Sequence, residues 1–219
     1  MAKNIIFNFW FCFFCSQMFS FDLNPYENYY SSKSTGSVKE TLEKISENSW
    51  KISSFGKHPL FTIKQESIFS IDNGNVFLKS GYRKLDILGG LRKDHQTYRV
   101  EKKGDKKVVI FSFGKKKGSI EIEENFYDNL TLQIQIKMNF LKNDQFKINY
   151  FDKGKIKIKS FLNKRDEIIY KSKLVEVFEF TEDREDKRYF KFLIKNDSDK
   201  ETIKVFQGGR GFNIDWELD

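Results

Sequence analysis

Most of the chain is written in a two-residue period. Ser49-Trp50-Lys51-Ile52-Ser53 alternates polar and apolar residues, and Phe61-Thr62-Ile63-Lys64 and Ile68-Phe69-Ser70-Ile71 follow. The rhythm returns over 107–113, 119–123, 146–151, 155–161, 174–180, 189–194, 202–206 and 212–218. Side chains alternate across a strand, so each of these runs has one face to bury and one to wet. Asp72-Asn73-Gly74-Asn75 and the polar stretch 114–118 supply residues that tolerate positive φ and turn the chain. Turns spaced by about 8–12 residues predict an antiparallel all-β fold. No βαβ rhythm is present, which excludes a parallel nucleotide-binding sheet. No repeat or Pro/Ser-rich linker interrupts the pattern, so residues 21–219 read as one domain.

The first twenty residues have a different character. Lys3 precedes an apolar run over 5–14, and Cys15, Ser16, Gln17 and the small Ser20 follow. A basic start, a short apolar core and a small exit residue predict a secretory signal over 1–20, cleaved after Ser20. The run is shorter than the ~20 residues of a membrane span, and Asn8 interrupts it. The alternative is an uncleaved anchor over 5–21. Both cysteines, Cys12 and Cys15, lie in this segment and follow Phe11 and Phe14, which does not suit lipid attachment. The mature chain would hold no thiol and no disulfide, and would be a soluble, monomeric protein of the bacterial periplasm.

One stretch resists a single reading. Between Leu130 and Phe140 every even position is apolar and every odd one polar, which by count is a strand. Wound as a helix, it places Leu130, Ile134, Met138 and Leu141 on one stripe. Leu132, Ile136 and Phe140 form a second stripe nearly opposite. Such a helix is stable only when buried on both sides. Asp128 would cap it, with Thr131 in its first turn.

The order and spacing of motifs resemble a family of exported proteobacterial proteins, the domain of unknown function 3108. The resemblance runs from Tyr26 to the C-terminus. It rests on the turn at Gly36, the Trp-centred strand 49–54, and the segments Glu66-Ser67-Ile68-Phe69 and Gly81-Tyr82-Arg83. Tyr127-Asp128-Asn129-Leu130-Thr131 and the closing Gly208-Gly209-Arg210-Gly211-Phe212 complete it. The family usually shows Trp-Leu before its last hairpin and Leu-Pro-Val inside it; here Phe192-Leu193 and Ile203-Lys204-Val205 stand there. The resemblance implies a half-open antiparallel barrel similar to lipoprotein carriers, with one substantial helix near 128–142 on its concave side. On that basis the stretch after Asp128 is expected to be helical, against the simple count.

No catalytic constellation is legible. His58 and His95 lack a second His, a Cys or a metal-ligand spacing, although Asp94 could orient His95. The acidic runs 121–124 and 182–186 lie between strands and read as solvated. Gly114-Lys115-Lys116-Lys117-Gly118-Ser119 lacks the spacing of a phosphate loop. Net charge is +8. Lys153, Lys155, Lys157 and Lys159 recur every second residue, with Ile156 and Ile158 expected on the core face. Lysines of this kind blunt a sheet edge, or give weak contact with an anionic membrane surface. Nucleic acid is not an expected partner, and no cofactor is expected. Two functions remain. One is a non-catalytic envelope protein holding a lipid or other hydrophobic ligand, with Ile134, Met138 and Trp216 lining the site. The other is an assembly factor that binds another envelope protein through a sheet edge. An open apolar cavity of several hundred Å³ favours the first; a sealed interior favours the second.

Overall fold

In the computed structural model the alternating segments become, among the described residues, fifteen strands of one sheet. The structure describes residues 23–32, 36–183, 189–209 and 212–219. The expected signal over 1–20, its cleavage after Ser20 and the alternative anchor over 5–21 therefore lie outside the described residues. The first eight strands are β1 (Tyr26–Ser31), β2 (Ser37–Ser46), β3 (Ser49–His58), β4 (Phe61–Asp72), β5 (Asn75–Ile87), β6 (Arg92–Lys103), β7 (Lys106–Phe113) and β8 (Lys116–Ile122). The short β9 (Phe126–Tyr127) leads into helix α1 (Asn129–Gln135), which continues as a π turn over Ile136–Phe140. Then come β10 (Gln145–Asp152), β11 (Lys155–Tyr170), β12 (Lys173–Asp183), β13 (Tyr189–Lys195), β14 (Thr202–Gly209) and β15 (Phe212–Leu218).

The sheet order runs from β8 down to β1, then from β15 down to β9. Antiparallel neighbours are sequence neighbours except where β1 meets β15, with Tyr30 opposite Leu218. Only β9 and β10 pair in parallel, because α1 lies between them. Cross-strand pairs carry one face around the sheet, which the sequence alone left without a parity. Phe180 faces Phe192, Phe192 faces Val205, and Val205 faces Trp216. On the other half Leu42 faces Ile52, and Trp50 faces Phe69. Phe69, not Ile68, is the core residue of β4.

The two ends of the sheet overlap without pairing as strands; instead the Lys153 amide, in the β10–β11 turn, donates to Gln96 of β6 at 2.8 Å. Phe151 and Ile156, opposite each other on the β10–β11 hairpin, pack with Tyr98, Val109 and Phe111 of β6 and β7. The sheet is thus a roll, with this hairpin tucked under the β5–β8 end. The half-open antiparallel barrel expected from the sequence is what forms.

The helix lies within the roll. Its core members Leu130, Leu132, Ile134 and Ile136 are at most 3% exposed. They pack with Leu42, Phe69 and Val76 from one half of the sheet and with Phe146, Phe180 and Ile194 from the other. Burying each such side chain contributes about 1.5–3 kcal/mol, which offsets the weak stability of so short a helix. The helix starts at Asn129 and its last turn ends at Phe140, close to the expected 128–142. Among the described residues no helix is long and apolar enough to cross a membrane.

Candidate functional site

The helix is held by polar residues that the strand-like count had set on a wet face. Asp128 caps it, accepting from the Leu130 and Thr131 amides at 3.1 and 2.9 Å and from the Thr131 hydroxyl at 2.8 Å. The Thr131 hydroxyl in turn accepts from the Asp128 amide, completing a capping box. The other Asp128 oxygen accepts from the hydroxyls of Ser67 on β4 and Tyr98 on β6. Burial, then the Asp128 carboxylate, push Tyr98 well above the ordinary tyrosine range. Gln135 accepts from the Val76 amide at 2.7 Å, and Thr202 of β14 donates to Gln133 at 3.3 Å. The side chains at 131, 133 and 135 each therefore find a hydrogen-bond partner inside the roll.

Apolar side chains fill the rest of the concave interior. Phe140 stacks on Phe146 at 4.4 Å, Phe146 on Phe161 at 5.5 Å, and Phe180 on Phe192 at 5.2 Å between ring centroids. The three residues expected to line a ligand space are separated. Ile134 is in the central core, and Met138 packs against that core half-buried. Trp216 belongs to a second cluster with Tyr30, Tyr170 and Leu218, and its ring leaves no room for a side chain at Gly36. Both helix stripes pack against the sheet, and Ile134 also lines the smaller cavity described below.

Two open spaces adjoin these clusters. The first is a groove of about 410 Å³ where the overlapping ends of the sheet meet. Phe77 and Leu78 of β5, Val100 of β6, Ile122 of β8 and Phe126 of β9 supply its apolar lining. Lys79, Lys107, Asp72, Glu123 and Glu124 supply the polar part. Lys107 lies 5.7 Å from the Phe77 ring centroid, and Lys79 donates to Ser49 at 2.7 Å. The sequence offered no signal for this groove, because it joins residues about 50 positions apart across the seam.

The second space is a cavity of about 200 Å³ lined in part by Leu23, Tyr26, Ile134, Lys137 and Glu201. Lys137, in the π turn, is only 4% exposed, and Glu40 of β2 is 7% exposed. Tyr26 donates to Glu40 at 2.9 Å. Burial lowers the Lys137 ammonium below the usual lysine range, with Glu40 and Glu201 opposing. Burial likewise raises the Glu40 carboxyl, with Lys137 and the Tyr26 bond opposing.

The other sequence candidates are dispersed. His58 stacks on Phe61 at 4.9 Å and accepts from the Leu60 amide at 3.2 Å. His95 lies edge-on to Tyr82, while Asp94 pairs with Arg92 and Lys153 rather than orienting the imidazole. The lysine run of β11 follows expectation at Lys155, Ile156 and Lys157 and departs from it at Ile158 and Lys159. Ile158 is 72% exposed, while Lys159 sits 3.8 Å above the Tyr150 ring and 3.3 Å from the buried Glu182. Partners for its charge let the lysine turn inward. Residues 184–186 of the second acidic run, and Arg210 and Gly211, lie outside the described residues. Among the described residues no three His, Cys, Asp or Glu are grouped to hold a metal.

A rolled antiparallel sheet wound around one buried helix defines the class: a β-barrel-like protein. The chain is similar to the crystal structure of a β-barrel-like protein of the domain of unknown function DUF1849 from Brucella abortus. That match has a TM-score of 0.60 at 10% identity, and covers 91% of this chain and 98% of the other. At this identity the likeness is one of fold. No family model matches the chain, and no curated protein does. The likeness thus supports a β-barrel-like architecture of uncharacterised role, and not the domain of unknown function 3108 in particular.

Proposed function

We propose that this chain is a non-catalytic, exported envelope protein that holds an apolar ligand, such as one acyl chain, in the groove at the seam. The observation that carries the reading is the groove itself. Its size lies within the range of small-molecule sites, its lining mixes five apolar side chains with charged ones, and it opens to solvent. Lys79 and Lys107 suit a polar head at the mouth while Leu78, Val100 and Phe126 take the chain. The export pattern of residues 1–20 supports an envelope setting. The test is a fluorescent fatty-acyl probe titrated against the protein and against Val100→Phe, which narrows the groove. Saturable binding that Val100→Phe weakens at least tenfold is expected. No saturable binding, or equal binding by a folded Val100→Phe, would end this reading.

A specific observation favours a second reading, an assembly factor that docks another envelope protein. Ile169 and Leu174 face each other near the end of the β11–β12 hairpin and are 77% and 67% exposed. Paired exposed apolar residues suit a protein contact. Under this reading a partner captured from an envelope extract is lost on replacing both residues by Lys, while acyl-probe binding stays absent.

A further inference from the structure

We propose that Lys137 is a nucleophilic amine that takes small neutral aldehydes or ketones as a Schiff base. The site is independent of the seam groove. Its geometry has three parts. The Lys137 side chain lines the cavity, yet is 4% exposed. No described carboxylate lies within ion-pair distance of its nitrogen, and the Tyr26 ring centroid is 5.7 Å from it. Tyr26 also lines the cavity, and its hydroxyl is held by the buried Glu40 at 2.9 Å.

A buried lysine without an ion-pair partner releases its proton more readily than a surface one, and the neutral amine is the nucleophile. The titratable groups around it are Glu40 on β2, Tyr26 on β1, and Asp199 and Glu201 ahead of β14. Glu201 is itself paired with Lys195 at 2.7 Å. These acids disfavour anionic carbonyl compounds such as keto acids, and a cavity of about 200 Å³ restricts the occupant to a small molecule.

In the reaction the Lys137 nitrogen bonds to the carbonyl carbon, and one amine proton passes to the carbonyl oxygen. The resulting hydroxyl takes a proton from solvent and leaves as water. The second nitrogen proton returns to solvent as the carbon–nitrogen double bond forms. One amine and one carbonyl yield one imine and one water, with no change in oxidation state.

The test treats the full chain with butanal and sodium cyanoborohydride at pH 7, where the reductant converts any imine to a stable butyl amine. Peptide mapping by mass spectrometry then compares Lys137 with the exposed Lys142 and Lys155. Butyl addition at Lys137 is expected to be at least about tenfold faster than at either, the ratio of one pKa unit. Pyruvate is expected to label Lys137 more slowly than butanal does. Labelling of Lys137 no faster than of Lys155 in the wild-type protein would overturn the proposal without need of any variant.

Discussion

Asp128 accepts five hydrogen bonds, from two backbone amides and the hydroxyls of Thr131, Ser67 and Tyr98. Removing a helix cap costs about 1 kcal/mol, and a buried hydroxyl left without its partner about 1–3 more. Asp128→Ala is therefore expected to lose about 3 kcal/mol in urea unfolding, and Tyr98→Phe about 1. Equal losses from the two would mean that the cap itself contributes little. The buried Lys137 is the second residue to test. Its folded pKa is lowered by burial. Between that value and the ordinary lysine value of about 10.4, the unfolded chain keeps a proton the folded chain has released. Stability therefore rises with pH across that window. Tyr26, Tyr98 and Tyr150 act in the opposite sense, since burial raises all three. Their contribution is full below about pH 10 and is lost as pH climbs toward their folded values. Urea midpoints should rise on the alkaline side of neutrality and fall above about pH 10; Lys137→Met should lack the rise and keep the fall.

At the scale of elements, two glycines allow the overlap of the sheet ends. A Cβ on Gly81 of β5 would overlap the Tyr98 hydroxyl, whose position serves Asp128. A Cβ on Gly154, in the β10–β11 turn, would overlap the Phe111 ring, and its φ of +70° already disfavours other residues. Gly154→Ala should destabilise by about 2 kcal/mol or more, as overpacking combined with a left-handed backbone position. Gly104 is the control: its φ is +62° but a Cβ there meets nothing within 4 Å. Thermal unfolding of Gly104→Ala and Gly154→Ala separates the two causes, and equal losses would remove the close approach as an explanation. The helix shows the limit of counting at this scale. Its even positions feed the core from two sides, its odd positions Gln133 and Gln135 meet Thr202 and Val76, and its cap Asp128 meets Ser67. Period two therefore described a helix buried all round as faithfully as it describes a strand.

At the scale of the whole molecule, the closing contact joins Tyr30 to Leu218, nearly the full length of the chain. Non-local pairing of this kind must meet its loop-closure cost before it is rewarded. Refolding from urea is expected to take milliseconds to seconds or longer, slower than for helical proteins of this size. Removing β15 should accelerate collapse of the remaining hairpins while leaving β1 without its partner. Stopped-flow fluorescence of the full chain and of a chain ending at Gly209 would show this, and a microsecond phase carrying full amplitude in the intact chain would refute it. Far-ultraviolet circular dichroism should be strand-dominated, with one short helical contribution.

Local alternation, turn residues and the absence of βαβ spacing were enough to specify strands, hairpins and an antiparallel all-β fold, because those features depend on neighbours within a few positions. The capping role of Asp128 was also legible, since Thr131 lies three residues away. The rest was decided by residues brought together from far apart. Lys159 turned inward because Glu182 and Tyr150 awaited it, and Ile158 was left outside. Lys137, on the polar face of the count, became a buried amine only because β1 and β2 close over it. Ile134, Met138 and Trp216 could each be read as candidates for lining a ligand space, but the roll distributed them between two cores and placed the larger groove at its seam. A repeating pattern encodes which face of an element seeks burial; what covers that face, and whether a charge there finds a partner, depends on the closure of the sheet.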